Sequence, residues 1–401
     1  MMEVPLWSML LMVLVYRLVR LVELEEEETV DAAVLIAAAL MPITRPEGIA
    51  VAIGLLTLAA ILARRHWKGL ALAILIAVLV FAAATLFRVL YFGQPVPNTF
   101  YAKVSSDRLQ DLTDGVKYLF SFVSESPFAE LWLILWVVAG AWAFFNMWSR
   151  VPGSRGLAIC AATVFGLLFT YAALGGDHFA LWRFYQPMAP LFALAGALGL
   201  ALLLSPEILR RHVVLPVVSA AVVLAVGWTH YLQSRFDVVK EFNLVERALE
   251  FGAVLSGMEV RPAIGVGPAG GIALAYDGTI HDLFGLNWVE MAHANPIKTG
   301  KRNHASFDKD VFWRHEPDLL PHFNLSCPGD EAAEYKVGPD GVFKGLYADA
   351  RFQERYTPMI LRGEGGECWP GFVRRDWLAS TPTTMIEARD WSAVRFLPVR
   401  P

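Results

Sequence analysis

Charge is scarce in this chain. Only 18% of its 401 residues are Asp, Glu, Lys or Arg, against about 25% in ordinary soluble domains, while 56% are hydrophobic. With 34 basic and 38 acidic residues the formal net charge is -4, and the basic residues are scattered at the ends of apolar runs. That distribution excludes the basic patch of a nucleic-acid-binding protein. Cysteine is nearly absent as well: three residues cannot build a disulfide scaffold, and no Cys or His group has zinc-ligand spacing. Cys160 sits inside an apolar run and reads as inert, while Cys327 and Cys368 share the polar C-terminal part, where an oxidising compartment would allow them to pair. Also missing are the internal repeats and mid-run polar residues of a secondary transporter.

What the chain does have is long hydrophobic runs. They cover Pro5 to Val22, Val30 to Ile43, Ile49 to Leu62, Leu70 to Tyr91, Leu131 to Trp148, Leu157 to Leu174, Met188 to Leu204 and Val213 to Tyr231. A membrane-crossing helix needs roughly 17 to 25 residues, so these predict a mainly α polytopic membrane protein of about eight spans. The second and third runs are short and meet at Thr44-Arg45-Pro46-Glu47-Gly48, which leaves open a re-entrant helical hairpin. From Gln233 the composition changes: charge becomes frequent, Gly and Pro recur, and long apolar runs end. The expected division is a transmembrane helical domain over 1–232 and a soluble α/β domain over 233–401.

Orientation follows from Lys and Arg. Arg17 and Arg20, Arg64 with Arg65 and Lys68, Arg150 with Arg155, and Arg210 with Arg211 fall at every second boundary, which assigns those loops to the cytoplasm. The acidic run Glu23 to Glu28 reads as a solvated face. The remaining loops, and everything after Tyr231, then lie on the outer side. This register puts Met1 outside with nothing upstream to export it, so earlier spans are expected to be missing; otherwise the first helix inserts under the pull of Arg17 and Arg20 alone.

Three outer loops hold the polar chemistry. Arg45 and Glu47 flank Pro46; they either pair locally or divide the work of holding a phosphate and a sugar hydroxyl. The segment Pro97-Asn98-Thr99-Phe100-Tyr101-Ala102-Lys103 offers Asn98, Tyr101 and Lys103 to a polar or anionic ligand, and Leu109 to Val123 follows as an amphipathic helix resting in the interface or against the other spans. The third loop, Gly175 to Pro187, concentrates Asp177, His178 and Arg183. In the soluble part, Val238 to Leu255 reads as an amphipathic helix, Pro262 to Val266 as a buried strand and Gly271 to Tyr276 as a helical turn. Gly265-Val266-Gly267-Pro268-Ala269-Gly270 imitates a dinucleotide fingerprint, but Pro268 sits where the helix must open.

The three loops together, Thr44-Arg45-Pro46-Glu47-Gly48, Pro97 to Lys103, and Gly175-Gly176-Asp177-His178 with Arg183 and Pro187, resemble a bacterial family of polytopic GT-C class glycosyltransferases that includes the terminal arabinofuranosyltransferases of the mycobacterial cell wall. Gly270 to Tyr276 and His281 to Leu286 are similar to the start of that family's soluble domain. The resemblance implies a GT-C like bundle in the bacterial cytoplasmic membrane, a polyprenyl-phosphate sugar donor and a cell-envelope glycan acceptor. In that class the first outer loop supplies the acidic base and often helps hold a divalent cation, and no such loop is present here. Asp177 is then the first candidate base and Glu47 the second; Arg45 and Arg183 stabilise the departing phosphate; His178 and Asn98 contact sugar hydroxyls; Lys103 meets phosphate. The alternative is a catalytically incomplete remnant or a non-enzymatic membrane scaffold.

Overall fold

The computed structural model describes residues 3–24, 29–105, 107–126, 128–149, 151–177, 182–203, 232, 239, 242–294, 298, 306–322, 335–337, 341–363, 365–381 and 383–396. The apolar run Val213 to Tyr231 and the candidates His178 and Cys327 lie outside these. The chain divides into two compact units, Met1–Val96 with Leu109–Ser234, and Pro97–Arg108 with Arg235–Pro401.

The first unit is helical: α1 (Glu3–Glu23), α2 (Ala32–Thr44), α3 (Gly48–Leu62), α4 (Trp67–Phe92), then, beyond the short α5 (Asn98–Lys103) that belongs to the second unit, α6 (Arg108–Glu125), α7 (Ala129–Asn146), α8 (Ser154–Ala173) and α9 (Ala189–Leu203). Among the described residues four helices are long and apolar enough to cross a membrane: α1, α4 with the preceding turn from Arg64, α7 with its continuation to Ser149, and α8. These four are a count of the described residues alone; of the eight runs expected from composition, Val213 to Tyr231 lies outside them. At 13 and 15 residues, α2 and α3 rise about 20 and 22 Å, short of a hydrocarbon core about 30 Å thick. The outer surfaces of α4 and α7 are apolar, exposing Leu72, Leu75, Leu79, Leu86 and Phe87 on one and Ile134, Val137, Val138 and Phe144 on the other. A surface of that kind suits a bilayer.

Helix ends are set by local chemistry. The Asp31 carboxylate accepts from Val34 N at 3.2 Å to start α2, and also pairs with Arg17 at 2.7 Å. Gly93 ends α4 in the left-handed region at φ 72°. Glu23, expected on a solvated face, accepts from Gly153 N at 2.9 Å and Gly156 N at 2.6 Å, so its charge satisfies amides at the N-terminus of α8. Inside, Trp7, Leu11, Leu14 and Leu18 on one stripe of α1 meet α2, α3 and α8. Small residues at the contacts, Ala37 and Ala38 on α2, Ala52 and Ala59 on α3, Ala73 and Ala77 on α4, let the backbones approach closely.

The second unit is built on a mixed six-stranded sheet in the order β2-β1-β3-β6-β5-β7. Its strands are β1 (Ile264–Val266), β2 (Ile280–Asp282), β3 (Leu319–Pro321), β5 (Tyr356–Arg362), β6 (Cys368–Arg374) and β7 (Ile386–Ala388). β1 runs parallel to β2 and β3, and the remaining pairs are antiparallel. β4 (Tyr335–Val337) and β8 (Val394–Phe396) form a separate parallel pair. Alternation along the strands fills two cores. Leu319, Met359, Leu361, Trp369 and Val373 join Phe251 and Leu255 of helix 242–256, whereas Leu320, Tyr356 and Phe372 join Phe312, Tyr347 and Phe352. Cys368 is disulfide-bonded, and Cys160 is free and buried in α8.

Candidate functional site

The turn between α2 and α3 places Arg45 inside the first unit. Arg45 N donates to Met41 O at 3.1 Å and Gly48 N to Arg45 O at 2.9 Å, closing the turn. A Cβ on Gly48 would lie 2.3 Å from Met41 O, so the turn admits only glycine there. The Arg45 residue is 6% exposed. Its Nη1 donates to the Tyr171 hydroxyl at 3.0 Å and to Glu47 Oε1 at 3.2 Å, and its Nη2 to Glu3 Oε1 at 3.3 Å. A buried guanidinium needs such partners, because leaving it unpaired costs several kcal/mol.

The loop after α8 is fixed by two glycines and a tyrosine. Gly175 and Gly176 have φ of 89° and 69°, and a Cβ on Gly176 would sit 2.4 Å from Tyr118 Cβ of α6. The non-glycine Trp182 also lies at positive φ, 45°, held by a bond from its Nε1 to Ser121 Oγ at 3.0 Å. This winding buries Asp177, whose carboxylate accepts from Arg183 Nε, and packs the partly buried Phe184 against the helical core. Burial lifts the Tyr118 hydroxyl far above the usual tyrosine range, with the Asp177 charge adding to the effect, and burial does the same for Tyr185. Both phenols stay neutral, and the Tyr185 hydroxyl finds no partner among the described residues.

Phe184 joins the two loops. The Arg45 guanidinium lies 5.0 Å from the centre of its ring, the Arg183 guanidinium 5.3 Å, and the Tyr171 ring stacks on it at 4.7 Å. Two guanidinium groups and three carboxylates, Glu3, Glu47 and Asp177, thus converge on one aromatic cluster. The Glu3 and Glu47 side chains are 40% and 17% exposed, that of Asp177 only 1%.

The sequence candidates therefore separate into two groups. Arg45, Glu47, Asp177 and Arg183 are brought together. Asn98 and Lys103 lie on α5 in the second unit, where the Asn98 amide donates to Gly285 O at 2.8 Å and Leu286 O at 3.0 Å, and Lys103 closes the helix. Asn98 thus braces backbone carbonyls within that unit. The glycine-rich stretch after β1 leads into a 3-10 turn, Ile272–Leu274, and a Cβ on Gly267 would lie 2.6 Å from the Phe284 ring. Among the described residues no group of three His, Cys, Asp or Glu side chains converges as a metal site.

The chain matches no family model, no curated protein and no solved structure. Three members of the site were not singled out in the sequence. Glu3 is a lone acid before an apolar run, Tyr171 looks like any aromatic near a helix end, and Phe184 is one of 25 phenylalanines. The signal available for Tyr171 was its place one turn before Gly175-Gly176, at the mouth of a loop already marked by charge.

Proposed function

We propose that this chain is a membrane glycosyltransferase, moving a sugar from a polyprenyl-phosphate donor to a cell-envelope glycan on the outer face of the bacterial cytoplasmic membrane. The observation that carries this reading is the pair of guanidinium groups, Arg45 and Arg183, held on either loop against Phe184. Each is preset by a carboxylate, so a phosphate meets oriented donors and no rearrangement is needed as charge develops on it.

In this reading the acceptor hydroxyl oxygen forms a bond to the anomeric carbon, the bond from that carbon to the donor phosphate oxygen breaks, and polyprenyl phosphate leaves with the electron pair. A carboxylate takes the hydroxyl proton. Glu47 is better placed for that role than Asp177, because Asp177 is enclosed with Arg183 whereas Arg45 divides its single charge between Glu47 and Glu3. The family resemblance allows a divalent cation; Glu3 and Glu47 each turn one oxygen to the Arg45 guanidinium, and among the described residues no group of three His, Cys, Asp or Glu side chains is set to hold a metal.

The closure of the Asp177–Arg183 pair favours a second reading, a membrane scaffold that keeps the fold without catalysis. Transfer of label from polyprenyl-phosphate sugars in membranes holding the full chain separates the two. Activity lost in Glu47→Gln and kept in Asp177→Asn supports glycosyl transfer with Glu47 as base. Inactivity of the wild-type chain with every donor offered supports the scaffold.

A further inference from the structure

Helix α6 has three faces. Asp111, Gly115, Tyr118 and Phe122 point into the first unit and are buried. Thr113, Asp114, Lys117 and Ser124 form a polar stripe, with Lys117 paired to Asp114 at 3.5 Å. The third face is apolar and uncovered: Leu109 is 73% exposed, Leu112 41%, Val116 37% and Phe120 69%. At 3.6 residues per turn these four fall on one side of the helix.

The ends of the neighbouring helices indicate what covers that face. α4 and α7 are both of membrane-crossing length, and α6 lies within the stretch of chain that joins Phe92 to Ala129. If both helices cross the bilayer, α6 lies between the points where the chain leaves one face and re-enters the same face. The helix ends that flank this stretch in the chain are apolar and exposed too, with Leu90, Tyr91 and Phe92 at the end of α4 and Phe128 and Leu131 at the start of α7. Aromatic residues concentrate at this depth of a bilayer.

We infer that α6 lies in the plane of the membrane surface with Leu109, Leu112, Val116 and Phe120 sunk among the lipid chains, and that the bilayer is the partner for this face. The inference rests on the membrane-crossing reading of α4 and α7. The consequence reaches the charged site. Gly115 packs so closely on Ala172 that a Cβ would lie 1.8 Å from its carbonyl oxygen, and Tyr118 packs on Gly176. The lipid-seated helix is therefore the floor on which Gly176, Trp182 and Tyr185 rest.

The test is nitroxide labelling of the full chain in a Cys160→Ser background, reconstituted in phosphatidylethanolamine and phosphatidylglycerol vesicles. Labels are placed through Leu112→Cys, Val116→Cys and Phe120→Cys, through Thr113→Cys and Lys117→Cys, and through Leu79→Cys on the exposed face of α4. Collisions with oxygen report lipid, and collisions with a water-soluble nickel chelate report solvent. The oxygen-to-nickel ratio at 112, 116 and 120 is expected to be several-fold above that at 113 and 117 and close to that at 79. A lipid signal at 79 with solvent exposure at 112, 116 and 120, or with labels there shielded from both reagents as a protein partner would shield them, overturns the placement of α6 alone. A solvent signal at 79 overturns the membrane-crossing reading and this inference with it.

Discussion

Tyr171 accepts a hydrogen bond from Arg45 Nη1 at 3.0 Å while its ring stacks on Phe184 at 4.7 Å. One residue near the end of α8 thus holds both the turn between α2 and α3 and the loop that follows α8. Tyr171→Phe keeps the stacking and removes the acceptor. A buried charged donor left without that partner costs about 1 to 3 kcal/mol, so the unfolding temperature of the full chain in detergent is expected to fall. An unchanged temperature would show that the bond adds nothing to the fold.

Phe184 serves two guanidinium groups, and cation–π contacts contribute about 0.5 to 2 kcal/mol each. Phe184→Leu preserves apolar volume but loses the ring face. Sugar transfer is expected to drop roughly tenfold, the equivalent of about 1.4 kcal/mol, with the chain still extracted as a monodisperse species. Full activity in Phe184→Leu would remove the ring from the site.

Gly115→Ala tests the seating of α6 under the loop. The added Cβ meets the Ala172 carbonyl oxygen at 1.8 Å, so one helix must move, and overpacking of this kind costs about 1 to 3 kcal/mol. Gly54→Ala on α3 meets nothing within 4 Å and is expected to be neutral or stabilising by about 0.5 to 1 kcal/mol. Thermal unfolding of the two variants side by side checks this, and equal behaviour would contradict the close packing.

The second unit has a pH response of its own. Burial, followed by the charge of His315 with its ring centre 5.1 Å away, holds the His281 imidazole below its ordinary value of 6.5, and burial does the same for His322. The folded state thus binds fewer protons than the unfolded one, so the stability these groups contribute is present above pH 6.5 and is lost as pH falls through their folded values. Hydrogen exchange at Ile264–Val266 and Ile280–Asp282 is expected to quicken between pH 7.5 and 6, after correction for intrinsic rates, and less so in His281→Gln. An equal pH response in that variant would place the titration elsewhere.

What could be read in the sequence was whatever local periodicity encodes. The α2–α3 hairpin is legible because two apolar runs meet at Arg45-Pro46-Glu47-Gly48, and α6 because Leu112, Val116 and Phe120 recur at helical spacing. The direction of that apolar face was not legible: Gly115 and Tyr118, not the leucines, are what the protein buries. β5 and β6 were missed because most of their residues are buried, which removes the polar alternation of a one-sided strand, and because Pro358, Pro370 and Gly371 imitate a loop. The site was half visible. Its charged residues stand out against an apolar background, but the Arg45–Tyr171 bond spans 126 positions and the Asn98–Gly285 bond 187, and no local pattern reports contacts of that range.

The most direct test of the phosphate site is native mass spectrometry of the full chain released from detergent with equal amounts of polyprenyl phosphate and the matching polyprenol. The two lipids differ only in the group that Arg45 and Arg183 are assigned to hold. Preferential retention of the phosphate by the wild-type chain, lost in Arg183→Gln, is the predicted result; equal retention of phosphate and alcohol by the wild-type chain would contradict it.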